Sequence, residues 1–561
     1  MKINTKTINI LIFLFILIVL SAENIISGKE DASYDFVFNS AYNGYYILSN
    51  RITKDLLPCG IESYLNPYFN IINFQIRLWF DSIPSIAQIL YSIPHTILCF
   101  FVFLINKELF LNYENKKFYN WILVIIATFL CLSEVTFVSS VGTHFNCIPA
   151  SACVVAALFL LIKYLKGENT KNLKLIGVLL GIACGMELMA CPYFLAIIVA
   201  FSICSSHQNL KLFFKNIGLI TLFAIISFVI YDGYWAYSLF KYFGNPVFPF
   251  FNNIFKSDLM SFVNYQPQYV VTNPLKLLIF PLVWFDNVPP NLQVEMMPFF
   301  DLRHIFMYFS TILLCFLVGR QIFLSKAKAK IENLKIEYKI QLFLLVFAIT
   351  SYILWAQTYC LIRFFIPVLV LCGSFIILPI TYCQKLLKNK HLYTFLFCFL
   401  FLININYKSI NWGHSFALVY SMGLDIKENS VIYIVGKFPA YNIIWQNYKT
   451  RFINLFASSD DNMPDFTVSE KYLKMVDYHS KNAKHIYVIK PTRNIPKDKL
   501  KNNGQYILQK YVAKTSNCKN IPGQYDILYL RDVKENPYDF YNRSDIKKYY
   551  DFPKYEICEI K

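Results

Sequence analysis

The chain has 561 residues, 56% of them hydrophobic and 18% aromatic, with charged residues held to 16% and a mean hydropathy of +0.41. A soluble protein of this size carries about 25% charged residues, so a soluble globular chain is excluded. A net charge of +18 would indicate nucleic acid in a soluble domain, but here the lysines sit in short clusters between apolar runs, which is positive-inside patterning and makes membrane lipid the partner, not nucleic acid.

The first apolar run, about Ile8 to Leu20, follows Lys2 and Lys6. It reads as a cleaved signal peptide or a retained helix. Leu20-Ser21-Ala22 puts Leu where a signal peptidase prefers a small residue, which favours retention. Apolar runs of about 18 or more residues are long enough to cross a bilayer core. They place helix two near Ser85–Ile105, helix three near Trp121–Val141 and helix four near Ala150–Ile162. Helices five and six lie near Leu175–Ala190 and Tyr193–Cys204, joined around Cys191-Pro192, and helix seven near Ile217–Ala236. Helices eight to eleven lie near His304–Leu324, Ile340–Ala356, Phe364–Cys383 and Leu392–Ile405.

Every lysine cluster falls on one side of this alternation. The turns after helices three and five carry no Lys or Arg, and the turn after helix nine carries only Arg363. The pattern places the N-terminus in the cytoplasm and the C-terminal segment outside. The expected fold class is an all-α polytopic membrane bundle of about eleven helices over residues 1–406, with outer loops 23–84 and 237–302. A soluble extracytoplasmic α/β domain follows over 407–561: Val431–Val435, His485–Ile489 and Tyr525–Leu530 read as short strands, and Val468–His479 has helical spacing.

Of the fifteen cysteines, most lie inside apolar runs, where they act as small hydrophobes. No CxxC pair and no HExxH occurs, so a metal site has little support from spacing. Cys518 and Cys558 are the two in the outer domain, where a disulfide is open to them; the alternative is two free thiols in a small core.

Ionisable groups at membrane depth are expensive and usually face a cavity. Glu134, Glu187 and Asp232 all fall in the outer halves of odd-numbered helices. Arg363 sits at the outer mouth of helix ten, Asp31 and Asp35 follow helix one, and His144 lies in the outer turn after helix three. Any one of these is as readily a structural hydrogen-bonder as a functional group. Their convergence on one side points to an outward-facing cavity. Loops Glu62–Tyr68 and Gly244–Asn252 combine turn residues with aromatics, and the amphipathic segments Phe69–Phe80 and Leu275–Phe285 are too short to span. These should lie at the interface, capping the bundle or flanking the entry of a lipid-borne substrate.

Asp31–Phe36, Glu62–Tyr68, Gly177–Tyr193, Gly244–Asn252, Glu295–Tyr308 and Trp355–Pro367 resemble a group of bacterial membrane proteins placed near the glycosyltransferase-C superfamily. Members of that superfamily use polyprenyl-phosphate sugars. The resemblance implies a bacterial inner-membrane transferase, moving a sugar from a polyprenyl-phosphate donor to an extracytoplasmic acceptor in the cell envelope. Asp31, with Asp35 as its rival, would be the general base, and Arg363 or Arg303 would hold the donor phosphate. Glu134, His144, Glu187 and Asp232 would line the cavity. Some members use a divalent cation such as Mg²⁺, which spacing here does not support. The chain departs from the pattern at Glu187, where a Lys is usual, and near Cys147, where an acidic residue is usual. A transporter or flippase of a lipid-linked or small polar substrate, and a polysaccharide polymerase or ligase, are the competing readings. No internal repeat of the kind transporters show is visible.

Overall fold

The computed structural model describes residues 5–386 apart from 28–29, 32, 34, 112–116, 168–170, 206–209, 258–269, 272, 283–298 and 325–333, and beyond them 407–408, 414–415, 424, 426–435, 440, 449–455, 469–481, 483–492, 510, 514–521 and 555–560. Eight helical segments among these are long and apolar enough to cross a membrane: Lys6–Ile26, Pro84–Phe110, Cys147–Leu165, Leu188–Ser205, Leu210–Phe243, Leu302–Phe323, Ile336–Thr358 and Ile362–Thr381. Two shorter apolar helices, Asn120–Leu132 and Asn172–Met186, stand where helices three and five are expected. The expected eleventh helix and the Tyr525–Leu530 strand lie outside the described residues. The chain is a multi-pass, mostly helical membrane protein. Large apolar side chains such as Phe15, Ile230 and Phe316 are exposed around the bundle, as lipid rather than water requires.

In chain order the helices are α1 (Thr5–Ser27), α2 (Ala41–Leu48), α3 (Tyr68–Trp79), α4 (Pro84–Phe110), α5 (Lys117–Leu132), α6 (Val135–Ser140), α7 (Cys147–Leu165), α8 (Lys171–Met186), α9 (Cys191–Ser205), α10 (Leu210–Phe243), α11 (Asn252–Phe255), α12 (Pro274–Ile279), α13 (Leu302–Leu324), α14 (Ile336–Thr358), α15 (Ile366–Leu369), α16 (Cys372–Leu386) and α17 (Glu470–Ser480). Lipid gives helices no hydrophobic drive to associate, so close backbone approach through small residues does that job. Gly177, Gly181 and Gly185, spaced at every fourth residue, lay α8 against α10. A Cβ at Gly181 would collide with the Ala224 carbonyl oxygen and Ser227 Oγ. Gly373 does the same for α16 against the Ala127 carbonyl of α5.

Three expected spans are interrupted. Helix three stops at Leu132 and restarts at Val135, because Glu134 turns extended and its carboxylate accepts from the Thr136 and Phe137 amides as an N-cap, at 3.0 and 2.9 Å. Helix five stops at Met186, so Glu187 sits in a turn rather than within a helix. Helix ten is a 3₁₀ turn, Ile362–Phe365, then α15, then α16. Helix seven, by contrast, runs on to Phe243 as part of the 34-residue α10.

The C-terminal module is a five-stranded sheet, built from β6 (Ser430–Ile434), β7 (Arg451–Asn454), β8 (His485–Pro491), β9 (Thr515–Ile521) and β10 (Tyr555–Ile560); the shorter β1 (Glu30–Asp31), β2 (Pro58–Ile61), β3 (Phe300–Asp301), β4 (Tyr407–Lys408) and β5 (His414–Ser415) precede them. The order is β7-β6-β8-β10-β9, with β6 parallel to both neighbours and β10 antiparallel to β8 and β9. Cys518 and Cys558 are joined as a disulfide between β9 and β10. The module is tied to the bundle. Leu56 pairs with the free edge of β7, donating to the Phe452 carbonyl at 2.9 Å and accepting from the Asn454 amide at 2.8 Å. Buried Arg51 bridges Asp55 and the Thr450 carbonyl, and Asp55 accepts from the Phe452 amide at 2.9 Å. β1 pairs with β5 and β3 with β4, so Asp31 and Asp301 each lie in a strand pair that crosses between the bundle and the start of the C-terminal segment. This module marks one end of the bundle, its module end. At the other end Glu108 accepts from Lys166 at 2.7 Å and Lys163 at 3.4 Å, so residues of two lysine-bearing connections meet there.

Candidate active site

The first loop folds onto the module end because α2 and α3 approach closely at Gly44, where a Cβ would stand 2.5 Å from the Asn70 carbonyl oxygen and 2.7 Å from Phe74 Cβ. Asn66 Nδ2 donates to Asp232 at 2.5 Å and Trp235 donates to the Tyr64 carbonyl at 3.1 Å, clamping the Glu62–Tyr68 loop onto α10. Asp232 is thus engaged in holding that loop and does not line the cavity.

Between these elements lies a cavity of about 640 Å³. Its walls include Asp35, Asn43, Glu62 and Asn70 from the first loop, and Phe145, Asn146 and Cys147 from the turn into α7. Glu187 and Met189 come from the break between α8 and α9, Pro249–Phe251 from the second loop, and Thr358, Tyr359 and Arg363 from the turn before α15. The Arg363 guanidinium meets Asp35 Oδ2 at 2.8 Å and lies over the Phe145 ring at 5.2 Å from its centroid. Asp35, Glu187 and Arg363 line one cavity, and both aromatic loops border the same space.

Asp31 is behind this wall. It is fully buried; its Oδ1 accepts from the Ser33 amide at 2.7 Å, and its Oδ2 accepts from the His144 amide at 2.8 Å and faces His144 Nδ1 at 3.0 Å. Burial raises the Asp31 carboxyl, but the His144 and Ser33 contacts outweigh it and hold it below the usual carboxylate range. His144 stacks on Phe36 at 4.7 Å. One carboxylate thus fixes two walls: through Ser33 the segment carrying Asp35, and through His144 the turn that sets Phe145 under Arg363. Asp31 holds the site together, and Asp35 is the aspartate that reaches the cavity.

Glu134 and Arg303 also leave the expected position. Glu134 Oε1 lies 2.7 Å from His304 Nε2, and Arg303 Nη1 lies 2.6 Å from Asp301 Oδ2, all four side chains being buried. The Asp301 carboxylate also accepts from the Val135 amide at 3.0 Å, so this box ties the break in helix three to β3 and the start of α13. Arg303 is committed to Asp301 and does not face the cavity. Glu134, Asp301 and His304 have ligand atoms within 4.8 Å of one another. The Arg303 guanidinium already occupies the cation's place against Asp301, so the donor set does not fit a divalent ion. The cavity carboxylates are not among the described groups that converge on one point.

Glu62, Asn43 and Asn70 are site residues that pattern-reading did not assign. Glu62 opens the aromatic Glu62–Tyr68 loop and so carried a signal; the two asparagines carried none, because their place depends on how α2 packs on α3.

No protein family and no curated protein matches this chain. Among solved structures, ArnT from Cupriavidus metallidurans bound to undecaprenyl phosphate aligns with 66% of this chain at 9% identity and a TM-score of 0.40. The aligned part spans 59% of that protein's length. The undecaprenyl phosphate is that protein's ligand.

Proposed function

We propose that this protein is a membrane glycosyltransferase that moves a sugar from a polyprenyl-phosphate donor to an acceptor on the extracytoplasmic side, where the module end faces. The observation that carries the reading is the Asp35–Arg363 pair, 2.8 Å apart, on the wall of a cavity bordered by α-helical and aromatic loops. Sugar transfer from a lipid phosphate needs a carboxylate near the anomeric carbon and a cation for the leaving phosphate. Both are supplied by one pair. The planar guanidinium suits a phosphate bidentately. An arriving phosphate competes with Asp35 for Arg363 and so releases the carboxylate to act. Asp35 then takes the acceptor hydroxyl's proton as its oxygen attacks the anomeric carbon. The bond from that carbon to the phosphate oxygen breaks, and its electron pair leaves on a polyprenyl phosphate held by Arg363.

The lipid-borne donor is supported by the flanking elements. Trp79, Leu275 and Leu278 on α3 and α12 are exposed, and so are Phe251 and Ile254 beside the cavity. These are the lipid-facing side chains that an interfacial helix presents. A transporter reading has one observation in its favour: spans interrupted at Glu134 and before α16, as substrate-binding helices of transporters often are. Purified protein given a polyprenyl-phosphate sugar and acceptor tests between them. Product formation that depends on Asp35 and Arg363 supports the transferase. Movement of intact lipid-linked sugar across vesicles without transfer supports the transporter.

A further inference from the structure

The cavity that holds the Asp35–Arg363 pair has two unlike rims. On α14, Ile349, Ile353 and Gln357 are spaced four residues apart and so share one face, and all three are exposed. That face changes from apolar to polar at Gln357, and the exposed Thr358 follows it. An apolar stripe that turns polar marks the edge of the hydrocarbon, so this rim meets water. Gln357 and Thr358 line the cavity, with Tyr359 next to them. The other rim is apolar: Phe251 lines the cavity and is exposed, as is Ile254 on α11.

The polar rim is held in place from both sides. The Val271 amide donates to the Ala356 carbonyl at 2.8 Å, bracing it from the second loop. Trp355 Nε1 donates to the Leu361 carbonyl at 2.8 Å and its ring stacks on Phe365 at 4.7 Å, which fixes the turn that carries Tyr359. The Tyr359 and Phe364 rings lie 5.8 Å apart, and the Arg363 guanidinium lies 5.5 Å from the Phe364 centroid, so the aromatic part of this wall adjoins the Asp35–Arg363 pair. The Thr358 hydroxyl donates to the Leu354 and Trp355 carbonyls at 2.9 and 3.2 Å, which leaves its oxygen as an acceptor. Gln357 offers an amide donor and an amide acceptor.

None of Gln357, Thr358, Tyr359 and Phe364 carries a charge. Elsewhere on the wall Asp35, Glu62 and Glu187 stand with Arg363, the one cation among its described lining residues. A phosphate on Arg363 uses that cation, so an acceptor bearing its own phosphate or carboxylate meets only like charge. An ammonium finds no carboxylate at the rim. Hydroxyls both donate and accept, which matches an amide and a hydroxyl, and the apolar face of a sugar ring covers an aromatic ring.

We propose that the wall formed by Gln357, Thr358, Tyr359 and Phe364 is the acceptor subsite, and that it takes an uncharged sugar presented from water, not a phospholipid, a peptide or an anionic glycan. This rests on the transferase reading of the cavity. The acceptor's hydroxyl is the one whose proton goes to Asp35. Its ring lies on the Tyr359–Phe364 side, and the donor lipid keeps to the Phe251–Ile254 side.

The test uses the full-length protein in nanodiscs with a radiolabelled polyprenyl-phosphate sugar, and follows both transfer of the label and release of polyprenyl phosphate. Methyl glucoside, methyl galactoside and methyl mannoside are compared with their 6-phosphates, with a peptide rich in Ser and Thr, and with phosphatidylglycerol in the nanodisc. At least one neutral glycoside takes the label, and its 6-phosphate is about tenfold or more poorer. Gln357→Leu, at an exposed position and so compatible with folding, raises the KM for that glycoside about two- to tenfold, the scale of one hydrogen bond, and moves the donor KM less. Tyr359→Ala does the same through its ring contact. Preferred transfer to the peptide, the phospholipid or a 6-phosphate overturns the proposal, and so does a glycoside KM unchanged in both variants. Release of polyprenyl phosphate to water with no glycoside labelled removes the acceptor subsite and leaves the transferase standing. No release under any condition removes the transferase reading itself, and the acceptor role with it.

Discussion

Replacing Asp31 with Asn separates a holding role from a catalytic one. The side chain is fully buried and accepts from two backbone amides and faces His144 Nδ1. An Asn has one acceptor oxygen where the carboxylate has two. His144 can change tautomer and accept from the new amide. The Ser33 and His144 backbone N–H groups cannot adjust in this way, so one of them loses its partner in a dry site. An orphaned buried donor costs about 1–3 kcal/mol, and weakening the surviving charge-assisted bond adds about 1 kcal/mol, so Asp31→Asn should cost about 2–4 kcal/mol. The assay is thermal unfolding of the purified protein across pH. The carboxyl is lowered in the folded state, so its contribution is present above the ordinary carboxylate pKa and is lost as pH falls through the lowered value. Parent and variant should therefore differ at neutral pH and converge in acid. A variant with an unchanged unfolding midpoint at pH 7 that nevertheless transfers no sugar would refute this reasoning and return the base to Asp31.

Other outcomes follow from the same geometry. Gly181→Val should lower the unfolding midpoint strongly, by about 1–3 kcal/mol or more of overpacking, because its Cβ meets Ala224 and Ser227, whereas Gly218→Ala, with open space around it, should be close to neutral. A reporter fused after Lys561 should be active only outside the cytoplasm, and one after Lys330 only inside; both on one side would refute the alternation. Cys518 and Cys558 should resist alkylation until a reductant is added, and free labelling of both without it would contradict their pairing.

Much of the bundle was legible because lipid demands long apolar runs and lysines mark one side of them. The strands Ser430–Ile434 and His485–Pro491 and the helix Glu470–Ser480 were legible too, from β-branched runs and helical spacing. Helix breaks were not. Hydropathy treats Glu134 as a charge inside a span, while the chain uses it as a cap that ends one helix and starts another. The candidate site was half legible. Charge placed on the outer side drew attention to Asp35, Glu187 and Arg363, which line one cavity, Asp35 and Arg363 in contact. The same signal picked Asp31, Asp232 and Glu134, and the resemblance added Arg303; these four are buried ties between segments. A carboxylate that catalyses and one that holds two loops together look alike until their partners are seen: Ser33 and His144 for Asp31, Asn66 for Asp232, His304 for Glu134, Asp301 for Arg303.

The central claim is that Asp35 and Arg363 act together on a polyprenyl-phosphate sugar. Its most direct test is the initial rate of sugar transfer by purified parent, Asp35→Asn and Arg363→Lys proteins, each first shown to have the parent's unfolding midpoint. A positioned base contributes about 10²–10⁴-fold, so Asp35→Asn should lose at least that order. Arg363→Lys should weaken use of the donor, since Lys cannot present the planar fork. Transfer at the parent's rate by a well-folded Asp35→Asn protein would contradict the account.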